Sequence, residues 1–129
     1  MNPMQVQVTD WYIKFGVPIA AAPTIIPMTR RALRMRLIQE ETNELDAAFV
    51  RGDIVAIADA LADLLYVTFG TAVEFGIDME PIFNEIQRSN LSKLGADGKP
   101  IYDLNQKVMK GSNYSPPKLG PILKEQGLA

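Results

Sequence analysis

Two stretches with helical periodicity, residues 29–50 and 54–75, meet at Gly52-Asp53, and this junction constrains the chain more than any other feature. Glycine takes the left-handed conformation that ends a helix, and aspartate caps the helix that follows. So short a connection turns the second helix back beside the first as an antiparallel hairpin. Counting outward from the turn, positions whose numbers add to about 104 lie level with one another. Glu44 then faces Asp59 and Ala60, and Glu41 faces Asp63.

On the first helix of the hairpin, Leu33, Leu37, Ile38, Leu45, Ala48 and Phe49 share one half of the wheel, while Arg36, Gln39 and Asn43 take the other. Glu40-Glu41-Thr42-Asn43-Glu44 interrupts this order. Glu40 and Glu44 fall on one line with Glu41 a step round, and Glu41 lies near the middle of the apolar stripe. Like charges four residues apart oppose a helix, more so once desolvated, so a hard cation is expected to offset them. The second helix is apolar in nearly every direction. Its exceptions, Asp59, Asp63, Tyr66, Gly70 and Glu74, line one narrow stripe. Acids on both helices therefore converge at one depth.

The chain contains neither cysteine nor histidine. Disulfides, thiolate and histidine zinc sites and histidine-dependent nucleophilic machinery are excluded. Carboxylates alone make an oxygen-only site, which suits Mg²⁺, with Mn²⁺ as the alternative. Magnesium usually shares its shell with a substrate's phosphates, which points to phosphoryl chemistry. A formal charge of −2 over 129 residues argues against a nucleic-acid binder that works by bulk positive charge. The N-terminus lacks a basic region followed by an apolar run, so no secretory signal is expected there and a cytoplasmic location is. The apolar stretch from Ile54 to Ile77 contains Asp59, Asp63 and Glu74, each costing about 2.5 to 3.5 kcal/mol at a helix centre in lipid. It reads as a buried helix of a soluble protein, not as a membrane span.

Length allows one domain of 129 residues, with an N-terminal arm over 1–28 and an irregular tail over 94–129. In the arm, Thr9 is expected to cap a short helix through Asp10 to Phe15 that Gly16 ends; its aromatics are either core or the wall of a base pocket. Pro18, Pro23 and Pro27 then interrupt regular structure. Beyond Gly76, Asp78 is expected to cap a third helix, with Pro81 in its first turn and Leu91 near its end. Arg88, Asn90 and Lys93 near that end, and Lys107 and Lys110 in the tail, could hold phosphate oxygens or a base.

Glu40-Glu41-x-x-Glu44, Asp63 within Leu61 to Gly70, Gly76-Ile77-Asp78 and Arg88-Ser89-Asn90-Leu91-Ser92-Lys93, in that order, resemble the all-α NTP pyrophosphohydrolases of the MazG-like and phosphoribosyl-ATP pyrophosphohydrolase-like group. Asp97-Gly98-Lys99 and Lys107-Val108-Met109-Lys110-Gly111 extend the likeness, which covers about residues 30 to 117. The chain departs from the family pattern at Ala60, where a glutamate is expected three residues before the aspartate; the nearest acid is Asp59.

The resemblance implies an all-α helical bundle built on the hairpin and completed as a homodimer or homotetramer. It also implies hydrolysis of a nucleoside triphosphate between its α- and β-phosphates, giving a monophosphate and pyrophosphate. Glu40, Glu41, Glu44 and Asp63 would then bind magnesium, with Asp59 as a further candidate, and Glu40 or Glu41 would assist the water. Arg88, Asn90 and Lys93 match positions expected near the nucleotide, and Tyr66 and the N-terminal aromatics are candidates for the base. The expected substrate is a deoxy or noncanonical nucleotide. Phosphoribosyl-ATP is the alternative, and a non-catalytic helical module, favoured by Ala60, is the alternative from another class.

Overall fold

The computed structural model describes residues 1–129 as five helices and no extended strand: α1 (Pro3–Phe15), α2 (Met28–Arg51), α3 (Ile54–Phe75), α4 (Met79–Leu91) and α5 (Gly120–Glu125). They fall into two compact units, Met1–Met79 with Gln126–Ala129, and Glu80–Glu125.

In the first unit, α2 and α3 form the expected hairpin. Gly52 is left-handed at φ 63°, and the Asp53 carboxylate accepts from the backbone N–H of Val55 and Ala56. Gly76 ends α3 in the same conformation. The register is fixed by a polar clamp at the open end. Arg34 donates from Nε to Thr71 Oγ1 (3.1 Å) and from Nη2 to the Val67 carbonyl (2.9 Å), and its Nη1 lies 3.0 Å from Glu74 Oε2. Arg30 Nε donates to Glu74 Oε1 at 2.9 Å. Arg34 and Glu74 are 5 % and 2 % exposed. A buried charge is retained only with such partners, and removing one partner of a buried pair costs about 3 to 5 kcal/mol.

The N-terminal helix is longer than its sequence suggests. Its cap is Asn2, whose side chain accepts from Gln5 N, while Thr9 lies inside the helix with its hydroxyl donating to the Gln5 carbonyl. Thr9 can serve either as a cap or as an interior residue bonding back by one turn, and the capping group seven residues earlier decides which. The helix docks on α3. Val8, Tyr12 and Val73 form the buried core, with Val17 and Phe69 against it. Gln5 is fully buried; its amide donates to the Ile77 carbonyl (2.7 Å) and its oxygen accepts from Met79 N (3.0 Å), securing the turn after α3. Gln126 closes the unit through paired bonds with the Asp78 backbone.

α3 is long and apolar enough to cross a membrane by length and composition, and 11 % of its most apolar window is buried within one chain. Its expected burial is therefore not met within the single chain. Ile54, Val55, Leu61 and Leu65 remain exposed, as do Phe49 and Val50 at the end of α2.

In the second unit, the segment after α4 is folded although it reads as irregular. Asp97 and Asp103 each cap a turn, an isolated bridge joins Tyr102 and Val108, and the Ser89 hydroxyl donates to the Ser115 carbonyl while the Ser92 hydroxyl accepts from Ser115 N. The sequence reading missed the six-residue α5, too short to carry a periodic signal.

Candidate functional site

Glu41 and Glu44 lie one helical turn apart on α2, and Asp63 faces them from α3. One carboxylate oxygen from each falls within 4.8 Å of the others. Two are half-buried and Glu44 is exposed. Glu41 Oε2 is buried without any hydrogen-bond partner. Burial, reinforced by the charges of Glu44 and Asp63, a hydrogen bond with Glu44 and the charge of Glu40, raises the Glu41 pKa. Burial, then the charges of Asp59 and Glu44, raises that of Asp63. The arrangement is electrostatically unsatisfied by protein groups alone. An oxygen-only donor set with an orphaned buried carboxylate oxygen fits a hard divalent cation.

The other sequence candidates fall elsewhere. Glu40 is exposed beside the cluster and outside the group of three converging oxygens. Asp59 shares a smaller hollow with Glu44, Arg51 and Ala60, as the hairpin register predicts. Tyr66 stands one turn beyond Asp63, at the wall of a cavity of about 550 Å³ that Glu41 and Asp63 also line. Arg88, Asn90, Lys93, Lys107 and Lys110 belong to the second unit. There Arg88 makes a two-pronged pair with Glu85 (2.7 and 2.8 Å) and donates to the Pro116 carbonyl, while Lys110 sits 4.8 Å from the Tyr114 ring centroid. Asn90 and Lys107 are exposed, and Lys93 is half-buried with its carbonyl accepting from Gly111 N.

The N-terminal aromatics serve both roles left open by the sequence. Tyr12 is buried in the core with its ring against the Arg34 guanidinium and also reaches the wall of the large cavity; Trp11 is 40 % exposed and lines that cavity. Trp11 stacks on Phe15 with centroids 4.3 Å apart and meets Tyr66 edge-on at 6.3 Å. Arg30 and Arg34 complete the cavity wall and were not singled out by sequence reasoning. Their only signal is a four-residue spacing on α2 level with Glu74 in the polar stripe of α3.

Residues 8–90 match the sequence profile of the phosphoribosyl-ATP pyrophosphohydrolase family. The match includes the acid cluster, Arg88 and Asn90, and stops short of Lys93, Lys107 and Lys110. An uncharacterized protein, L479, of Acanthamoeba polyphaga mimivirus is 33 % identical over 78 residues, which is 60 % of this chain and 29 % of the viral protein. The chain thus spans under a third of that relative's length. A crystal structure of a proposed NTP pyrophosphohydrolase from Exiguobacterium sp. 255-15 is similar at 28 % identity and a TM-score of 0.51, over 97 % of this chain and 94 % of the other.

Proposed function

We propose, from the premise that this chain belongs to the phosphoribosyl-ATP pyrophosphohydrolase family, that it is a Mg²⁺-dependent nucleoside triphosphate pyrophosphohydrolase. The observation that carries this reading is the convergence of Glu41, Glu44 and Asp63 with Glu41 Oε2 buried and unpartnered, Glu41 and Asp63 also lining a cavity with an aromatic wall.

Glu41, Glu44 and Asp63 would hold the metal, with Asp59, which lines the same hollow as Glu44, as a further ligand through water. Bound there, Mg²⁺ supplies charge neutralisation at the phosphate oxygens and acidifies a bound water. Glu40 is the adjacent carboxylate left outside the converging three, and it is assigned to orient the attacking water and take its proton. The water oxygen bonds to one phosphorus of the α–β anhydride, the bridging P–O bond breaks, and nucleoside monophosphate and pyrophosphate leave. Arg88, Asn90 and Lys93, with Lys107 and Lys110, are proposed to contact the nucleotide, on the strength of motif positions.

The substrate is proposed to be a deoxy or noncanonical nucleoside triphosphate, because the cavity offers an aromatic wall for a base. Phosphoribosyl-ATP stands as the second reading because the matching family bears that name. The apolar surface of α3 supports a homodimer or homotetramer built on the hairpin helices, and a cytoplasmic enzyme is the setting in which such substrates occur.

Purified protein incubated with Mg²⁺ and a panel of nucleoside triphosphates and phosphoribosyl-ATP should release pyrophosphate from at least one. Glu40→Gln should lower kcat by about 10²-fold or more while leaving the metal-induced rise in Tm intact. Glu41→Gln should abolish both. No release from any substrate, with Glu41→Gln indistinguishable from wild type, would sink the reading.

A further inference from the structure

At the end of the cavity remote from the acid cluster stands a guanidinium that the proposed hydrolysis does not use. Arg30 and Glu41 both line this cavity and lie eleven positions apart on α2, which separates their backbones by about 16 Å. A phosphate chain held at Glu41 and Asp63 stays near those residues. A nucleotide extended from there to the outer edge of its base covers a distance of that order, so Arg30 stands where a base edge falls.

The two arginines of the wall differ in what they have left to offer. Arg34 is buried and uses Nε, Nη1 and Nη2 on Thr71, Glu74 and the Val67 carbonyl. Arg30 keeps 30 % of its side chain exposed and is tethered through Nε alone to the buried Glu74 carboxylate. Its two Nη groups make no hydrogen bond within the chain. Glu74 thereby aims and immobilises a fork of donors without consuming it. Trp11, braced on Phe15 and set edge-on to Tyr66, gives the same cavity a rigid aromatic face.

We infer that Arg30 is the specificity-determining residue of the cavity and that its Nη fork selects bases presenting two adjacent acceptors, O6/N7 of guanine or O2/N3 of cytosine, stacked on Trp11. This rests on the nucleotide reading of the same site. Guanidinium has only donors. Adenine sets its N6 donor beside N7, and thymine sets N3–H between its carbonyls, so either would turn a donor toward a donor. Guanine and cytosine each satisfy both arms, as in the paired Arg contact to guanine O6/N7.

Trp11 is the only tryptophan, so its fluorescence reports occupancy of the cavity without turnover. Mg²⁺-loaded protein is titrated with dGMP, dCMP, dAMP and dTMP, which have no α–β anhydride to be cleaved. One of the first two should bind at least about tenfold more tightly than dAMP and dTMP, the discrimination expected of one paired contact. Arg30→Met should reduce the preference to within about twofold. Arg30→Lys retains the charge beside Glu74 and loses the fork, so it should lose the preference too while keeping the fold; far-UV circular dichroism checks both variants. Preference for guanine or cytosine with no pyrophosphate release would leave this inference standing and overturn the activity. Equal binding of all four, no binding, a preference for dAMP or dTMP, or a preference that survives in Arg30→Lys would overturn it, whether or not pyrophosphate is released.

Discussion

Glu41 holds one oxygen in the protein interior with nothing to donate to it, among three other acids. The sign of the resulting pH dependence is fixed. A carboxyl whose folded pKa is raised favours the folded state while protonated; that contribution is complete below the ordinary values of 4.5 for Glu41 and 3.8 for Asp63, and is lost as pH rises through the folded values. In EDTA, the Tm of wild type relative to Glu41→Gln should therefore fall as pH rises from about 4 toward neutrality, as thermal melts will show. Mg²⁺ should reverse the trend, because its ligands must be deprotonated. A wild-type advantage that grows with pH in EDTA would contradict the account. Glu85 has the opposite sign: its hydrogen bonds from Arg88 and Lys118 hold its pKa down to about 2, so its stabilisation is fully present above 4.5 and is lost as pH falls from there through about 2.

At the scale of elements, the hairpin is aligned at its open end by Arg34, and α1 is seated by Tyr12 against Gly70. A Cβ on Gly70 would collide with the Tyr12 hydroxyl and with Arg34 Nη2. Gly70→Ala should destabilise the protein by about 1 to 3 kcal/mol despite alanine's better helix propensity, measured by denaturant unfolding. The Asp53 cap is a smaller matter; Asp53→Ala should cost about 1 kcal/mol. If Gly70→Ala were neutral or stabilising, α1 would not be packed as described.

At the scale of the whole molecule, α3 is apolar along its length yet leaves Ile54, Val55, Leu61 and Leu65 in water, a surface suited to burial against a second copy. Sedimentation velocity at micromolar concentration should find a species at least twice the 14.3 kDa monomer. Leu61→Lys with Leu65→Lys should shift it toward the monomer, since charges in an apolar interface are desolvated without partners. A wild-type monomer under these conditions would refute the proposed assembly.

What the sequence determined by itself is what short-range rules control. Gly52 and Asp53 set the turn, helical rise carries the register outward from it, and Glu41 therefore meets Asp63. The same register brings Arg30 level with Glu74, yet periodicity does not say which of two arginines a buried glutamate will consume and which it will only aim. That depended on Arg34 reaching Thr71 and Val67 across the hairpin. Nor could local spacing say that Asn2 rather than Thr9 caps α1, or that Tyr12 is buried while Trp11 stays exposed on the cavity wall. Those outcomes follow from how α1 docks on α3, a contact between residues some sixty positions apart whose side chains compete for one buried space.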